Sequence, residues 1–251
     1  MQKLFLVIVM MLCVAAMGFS QSLAQNPTAA ELLQRIDDNE IFSTIEYEGE
    51  MIIEHGGRRF VKTMRVWARG NTHSFIEFTN PEDRGTRYLR RDNRLFVYSP
   101  DIEDVMLISG HMLRESMMGS DMSYEDALDN ESLSSRYTPV IFGSDVLNGR
   151  DVWILELTET RRGTQSYPRR KLWIDKETGD LLRAELFALS GAKLKVYNVL
   201  RIEVHGDRRF PVEVEVRDLL RRNSRTVFIM RNVVLDRPIP DSIFTDRNLR
   251  R

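Results

Sequence analysis

Polar and apolar positions alternate along much of the chain. In "IEYEGEMIIEH", residues 45–55, Ile45, Tyr47, Met51 and Ile53 fall on one side, and Glu46, Glu48, Glu50 and Glu54 on the other. A period of two is that of a half-buried β-strand. The stretch ends at His55-Gly56-Gly57-Arg58, a hairpin signal, because a two-residue turn needs residues that accept positive φ. "FVKTMRVWARG" returns from it, "THSFIEFTN" follows, and "TRYLRRDNRLFVYSP" folds back at Asp92-Asn93. The rhythm resumes in "TPVIFGSDVLNGRDVWILELTET", with a strong turn at Asn148-Gly149, and in "KLWIDKETGDLLRAELFAL", which turns around Glu177-Thr178-Gly179-Asp180. "SGAKLKVYNVLRIEV", "RRFPVEVEVRDLL" and "RTVFIMRNVVLD" complete the series, and in the second of these Val212, Val214 and Val216 alternate with Glu213, Glu215 and Arg217. The pattern predicts about ten to eleven antiparallel strands.

Two stretches depart from this rhythm. Thr28-Ala29-Ala30-Glu31 is a capping box, and Leu32, Leu33 and Ile36 follow at helical spacing, which predicts a helix over 28–39. Residues 100–138 lose the alternation and contain helix formers, so they are expected to form one or two short helices or an ordered loop. Within them Met106, Met112, Met117, Met118 and Met122 lie close together, and Gly110 and Gly119 bracket part of the run. Many strands with few helices give a mainly β, α+β fold. The economical arrangement is an unclosed antiparallel barrel with helices covering one mouth. A barrel of that strand number is too wide for its own side chains to fill, and tends to enclose a ligand cavity. No linker or low-complexity stretch interrupts the strands, so a single domain over 25–251 is expected.

The first residues have a different character. Met1-Gln2-Lys3 precedes an unbroken apolar run, "LFLVIVMMLCVAAM", and Ser22-Leu23-Ala24 has the small residues of a cleavage site. This reads as a secretory signal over 1–24, cut after Ala24, so the chain is expected to be exported. Cys13 is the single cysteine and lies inside the run, so the exported chain carries no disulfide.

Net charge is −1, which gives no sign of a nucleic-acid partner. The basic residues are 30 Arg against 6 Lys. Arginine binds phosphate and carboxylate through two parallel hydrogen bonds, which suits lipid headgroups; a lineage preference is the alternative. The sequence contains no G-x-S-x-G, H-E-x-x-H, phosphate-binding loop or dinucleotide fingerprint. His55, His73, His111 and His205 are scattered one to a segment, so no metal site is expected, and no cofactor. Ser109-Gly110-His111 reads as a glycine turn rather than a nucleophile and its base, and Asp101, Glu103 and Asp104 as an acidic loop.

"RGTRYLRRDNRLFVYSPDIEDVMLISGHMLRESMMGSDMSYEDAL", residues 84–128, resembles the signature segment of the outer-membrane lipoprotein-sorting family related to LolA and LolB. "LWIDKETGDLLRAELF", residues 172–187, is similar to that family's central hairpin, and "IPDSIFT", residues 239–245, to its C-terminal end. The resemblance implies an unclosed antiparallel barrel with helices over one mouth, in a periplasmic protein that carries lipids or the acyl chains of lipoproteins.

The expected function is therefore a carrier of lipid or acylated protein cargo between membrane donor and acceptor complexes. The alternatives are an interaction subunit of an exporter or sorting complex, and a lipid hydrolase using the same cavity. The inward faces of the strands supply the candidate lipid-binding residues Met51, Ile53, Met64, Val66, Phe75, Phe96 and Leu186. Methionine repacks against varied apolar shapes at little cost, so Met106, Met112, Leu113, Met117, Met118 and Met122 join them. A helix over 111–118 would place Leu113 and Met117 on one face, as a gate bounded by Gly110 and Gly119.

Overall fold

The computed structural model describes residues 26–251 apart from Asn93. The expected signal and its cleavage site lie outside the described residues. Thirteen strands form one antiparallel sheet: β1 (Thr44–His55), β2 (Arg58–Arg69), β3 (His73–Phe78), β4 (Arg87–Arg91), β5 (Arg94–Ser99), β6 (Asp104–Ile108), β7 (Tyr137–Leu147), β8 (Arg150–Glu159), β9 (Arg169–Asp175), β10 (Leu181–Phe187), β11 (Lys193–His205), β12 (Arg208–Asp218) and β13 (Ser224–Leu235). The expectation of ten to eleven is thus corrected upward. The alternation misses β6, because its Val105-Met106-Leu107-Ile108 is a continuous apolar run.

The order across the sheet is β6-β5-β4-β3-β2-β1-β13-β12-β11-β10-β9-β8-β7. Every pairing but one joins neighbours in sequence; the exception is β1 with β13. The two edge strands, β6 and β7, do not pair, so the sheet does not close into a barrel. The turns follow the chemistry of their residues: Gly56 and Gly57 take φ of 58° and 76°, and Asn148 and Gly149 take 51° and 79°.

Helix α1 (Ala29–Glu40) begins at Thr28 with the expected capping box: the Thr28 side chain accepts from the Glu31 amide, and Glu31 reaches back to the Thr28 amide. Its Leu32, Leu33 and Ile36 are buried with Leu155, Leu172 and Ile174 of the sheet. Each such side chain contributes about 1.5–3 kcal/mol of burial. Asp37 of α1 accepts from the Leu133 and Ser134 amides at 2.8 and 2.9 Å and caps a short helix, α3 (Leu133–Arg136), just before β7.

Alternation gives each strand an inner and an outer face. Met51, Ile53, Met64, Val66, Ile76 and Leu95 meet on the inner face of β1–β5. Gly49 lies on the same face, where a Cβ would come within 2.9 Å of Met64 Cγ, so its missing side chain makes room for Met64. The outer face of the same strands is also covered. Ile239, Phe244 and Leu249 of the C-terminal segment pack on Phe75 and Leu89, through a 3₁₀ turn and helix α4 (Asp246–Leu249). No helix among the described residues is long and apolar enough to cross a membrane.

Candidate lipid-binding cavity

The chain between the two free edges, residues 109–136, crosses the inner face and divides it. The helix expected over 111–118 does not form. Gly110–Arg114 and Met117–Gly119 are separate 3₁₀ turns, and Met118 takes a left-handed conformation with φ of 52°. A bridge between Ser116 and Ser123 pinches the loop together. Helix α2 (Tyr124–Leu128) follows, capped by Ser123, whose hydroxyl accepts from the Asp126 amide.

On one side of this plug the space is filled. Met117 is buried among Met51, Ile53 and Met64, with Leu113 and Met118 packed against them. The Tyr88 hydroxyl donates to Met118 Sδ at 3.1 Å. The methionines are the material that fits an irregular strip of sheet to an irregular loop.

On the other side lies a cavity of about 360 Å³ between α1, the inner face and α2. Ile45, Tyr47, Val66, Leu186, Val214, Phe228 and Met230 line it from the sheet, Ile36 from α1, and Met122, Ala127 and Leu128 from the plug. Its polar side holds Arg90, Arg136 and Arg170 with Asp129 and Glu131. Arg136 pairs with Asp129 at 2.9 Å, and Arg170 donates to the Tyr137 hydroxyl. Arg90 is half-buried and donates to the Leu128 carbonyl. Burial lowers its pKa against the opposing pull of Asp129 and Glu131, and among the described residues it makes no ion pair. Glu40, at the end of α1, also faces the cavity. Burial, helped by the charges of Asp37 and Asp180, pushes its carboxyl up to about 7.

Two buried carboxylates bolt the plug to the sheet. Asp121 accepts from the hydroxyls of Thr226 and Ser224 at 2.7 and 2.9 Å and from the Asp218 amide at 3.1 Å. Asp126 accepts from Lys195 of β11 at 2.5 Å and from the Tyr167 hydroxyl at 2.9 Å. Burial opposes the Asp126 charge, but Lys195 and the Ser123 donors outweigh it and hold the carboxyl below the usual range. Arg221 adds hydrogen bonds to the carbonyls of Gly119, at 3.0 Å, and Ser120.

The candidate residues divide accordingly. Val66, Leu186 and Met122 line the cavity. Met51, Ile53, Met64 and Met117 are packed in the filled half, with Leu113 and Met118 against them. Met106 and Met112 are exposed at the β6 side. Phe75 and Phe96 correct the inward assignment: both lie on the outer face, with the C-terminal segment. Asp121, Asp126, Lys195, Tyr167 and Arg90 were not anticipated. The one signal for any of them was "SYED", whose Ser123 and Asp126 have capping-box spacing. Among the described residues no cluster of His, Asp and Glu could hold a metal ion.

Residues 70–251 match the model of a family described as an uncharacterized protein. No curated protein matches the sequence. The structure is similar to a DUF1329 family protein from Desulfovibrio piger, at 25% identity over 88% of this chain and 97% of that one, with a TM-score of 0.78. It is similar to a domain assigned to outer membrane lipoprotein sorting in Vibrio parahaemolyticus, at 20% identity over 89% and 98%, with a TM-score of 0.75. A LolA superfamily protein from Nitrosomonas europaea is 21% identical over 89% and 100%, with a TM-score of 0.72. The unclosed sheet is the fold these proteins share.

Proposed function

The chain belongs to the LolA-like family, and from that premise we propose that it is a periplasmic carrier, which takes an acyl chain of a lipid or of an acylated protein into its cavity and moves it towards the outer membrane. Export through the segment over 1–24 is part of the proposal. The observation that carries it is the apolar cavity between α1, the sheet and the plug.

Its volume, about 360 Å³, is near the lower end of the range for small-molecule sites, about 300–1,000 Å³, and suits one chain rather than several. Burying a CH₂ group contributes about 0.8 kcal/mol, so a chain of roughly fifteen is held from water by up to about 12 kcal/mol. An acyl chain crosses an aqueous compartment only if another apolar surface offsets most of that cost. The arginine side of the cavity leaves a polar place for whatever the chain is attached to, and Arg90 offers a guanidinium without an ion pair among the described residues.

Gentle, detergent-free purification followed by mass spectrometry of the bound material tests the proposal, with incubation of the emptied protein with labelled phospholipid beside it. Intact lipid recovered from both is expected. Released fatty acid would instead make the protein a hydrolase. An empty cavity that takes up no lipid would leave an interaction subunit of an exporter or sorting complex.

A further inference from the structure

The chain carries nearly the same six residues twice, with opposite fates. His55-Gly56-Gly57-Arg58-Arg59-Phe60 forms the turn between β1 and β2, and His205-Gly206-Asp207-Arg208-Arg209-Phe210 the turn between β11 and β12. The register is the same: His55 pairs with Arg58, and His205 with Arg208. At the second turn both arginines and the phenylalanine are engaged. Arg208 pairs with Asp236 at 3.0 Å, Arg209 binds Asp180 through two hydrogen bonds of 2.7 and 2.9 Å, and Phe210 is 5% exposed. At the first turn Arg58 and Arg59 are exposed and make no ion pair among the described residues, and Phe60 and Val61 are 47% and 41% exposed. Turn geometry does not require this, since the second copy makes the same turn with its arginines paired and its phenylalanine buried.

A neighbouring turn repeats the chemistry. β1 pairs with β13 so that His55 lies opposite Ser224, which sets the β12–β13 turn beside the β1–β2 turn. That turn reads Leu219-Leu220-Arg221-Arg222. Leu219 and Leu220 are 48% and 75% exposed, and Arg222 is exposed without an ion pair among the described residues. The β10–β11 turn is next in line, tied by the Leu219 amide to the Leu194 carbonyl, and its Leu189 is 64% exposed. Neither residues 56–61 nor residues 219–223 contain an acidic side chain.

We propose that these adjoining hairpin tips dock the protein on an anionic phospholipid surface, with the apolar side chains entering the headgroup layer and Arg58, Arg59 and Arg222 meeting lipid phosphates. Membrane-surface binding needs both ingredients, apolar area and basic charge, and both are concentrated here. Arginine suits phosphate because it donates two parallel hydrogen bonds. The site is apart from the cavity but next to the plug, because Arg221 in the same turn holds the Gly119 and Ser120 carbonyls.

Co-sedimentation of the protein with vesicles tests the proposal. One set contains phosphatidylcholine alone, the other phosphatidylcholine mixed with phosphatidylglycerol. Binding is expected only to the second set, and should weaken as salt is raised. The Arg58→Gln/Arg59→Gln variant should bind about twenty-fivefold more weakly, at about fivefold for each basic side chain near the surface. Phe60→Ser/Leu220→Ser should lose binding as well, while far-UV circular dichroism stays unchanged. Leu220→Ser alone repeats the test at a turn position if the double variant does not fold. Val146→Ser, at the opposite end of the sheet on edge strand β7 and 61% exposed, should bind like the parent. The proposal is overturned if the parent ignores anionic vesicles, if it binds neutral ones equally well, or if the tip variants bind unchanged. Lipid occupancy of the cavity is read separately on the same variants, so loss of the carrier reading and loss of this one are distinguishable.

Discussion

The carboxyl of Glu40 shows how burial and like charge act on a single side chain. Burial, with Asp37 and Asp180 nearby, raises its pKa from 4.5 to about 7. Between those two values the folded protein holds a proton here that the unfolded chain has released. Stability at this group is therefore greatest in acid and falls as pH rises through that window. Glu40→Gln should remove the effect and stabilise the protein by about 1–3 kcal/mol at pH 8, with little change at pH 4.5. Urea unfolding midpoints of the two proteins at both pH values check this, and equal differences would mean that Glu40 stands in water. The methionines are a second lesson at this scale. Their clustering was visible in the sequence, but their use was not. A gate and a filler have the same composition, and only the contacts of Met117 with Met51, Ile53 and Met64 place it in packing.

Among the elements, the plug is held by polar bonds rather than by hinges. Gly110 and Gly119 do take positive φ, 59° and 80°, but from Gly119 through α2 the chain is fixed at Asp121 and Asp126. Asp121→Ala would leave the Thr226 and Ser224 hydroxyls and the Asp218 amide without their buried acceptor. At about 1–3 kcal/mol for each of the three groups left unsatisfied, the variant should lose at least about 3 kcal/mol. Hydrogen exchange should rise first over residues 116–128. Uniform loosening of the whole sheet would show instead that Asp121 supports the strands and not the plug. Strands and α1 were legible because their patterns are local: a period of two with turn residues between, and a capping box before a helical stripe. The faces of β3 to β5 were not. In β3, Phe75 and Ile76 are both buried, one outward and one inward, because the C-terminal segment covers the outer surface. Burial on both sides erases the alternation from which a face is read. The anchors Asp121, Lys195 and Tyr167 were illegible for a related reason: each meets a partner far along the chain, and nothing local marks it.

At the scale of the whole molecule, the family resemblance and the strand periodicity led independently to the same unclosed sheet. Neither revealed where the sheet is joined. Eleven of its twelve strand pairings link consecutive strands, in two meanders, β1–β6 and β7–β13, and only β1 with β13 joins them. That arrangement has a consequence for how the chain acquires its shape. Hairpins close quickly, whereas a pairing between residues some 180 positions apart carries a larger loop entropy and comes late. Each meander can grow by local steps, but β1 lacks its second neighbour until β13 arrives. Pulse-labelled hydrogen exchange during refolding should protect the amides of β4 and β9 before those that join β1 to β13, and simultaneous protection would refute the order. Until that last seam forms, β1 is an unpaired edge in the middle of the future sheet. A chain in that state is open to pairing with another copy of itself, so its dwell time there, more than its final stability, sets its tendency to aggregate.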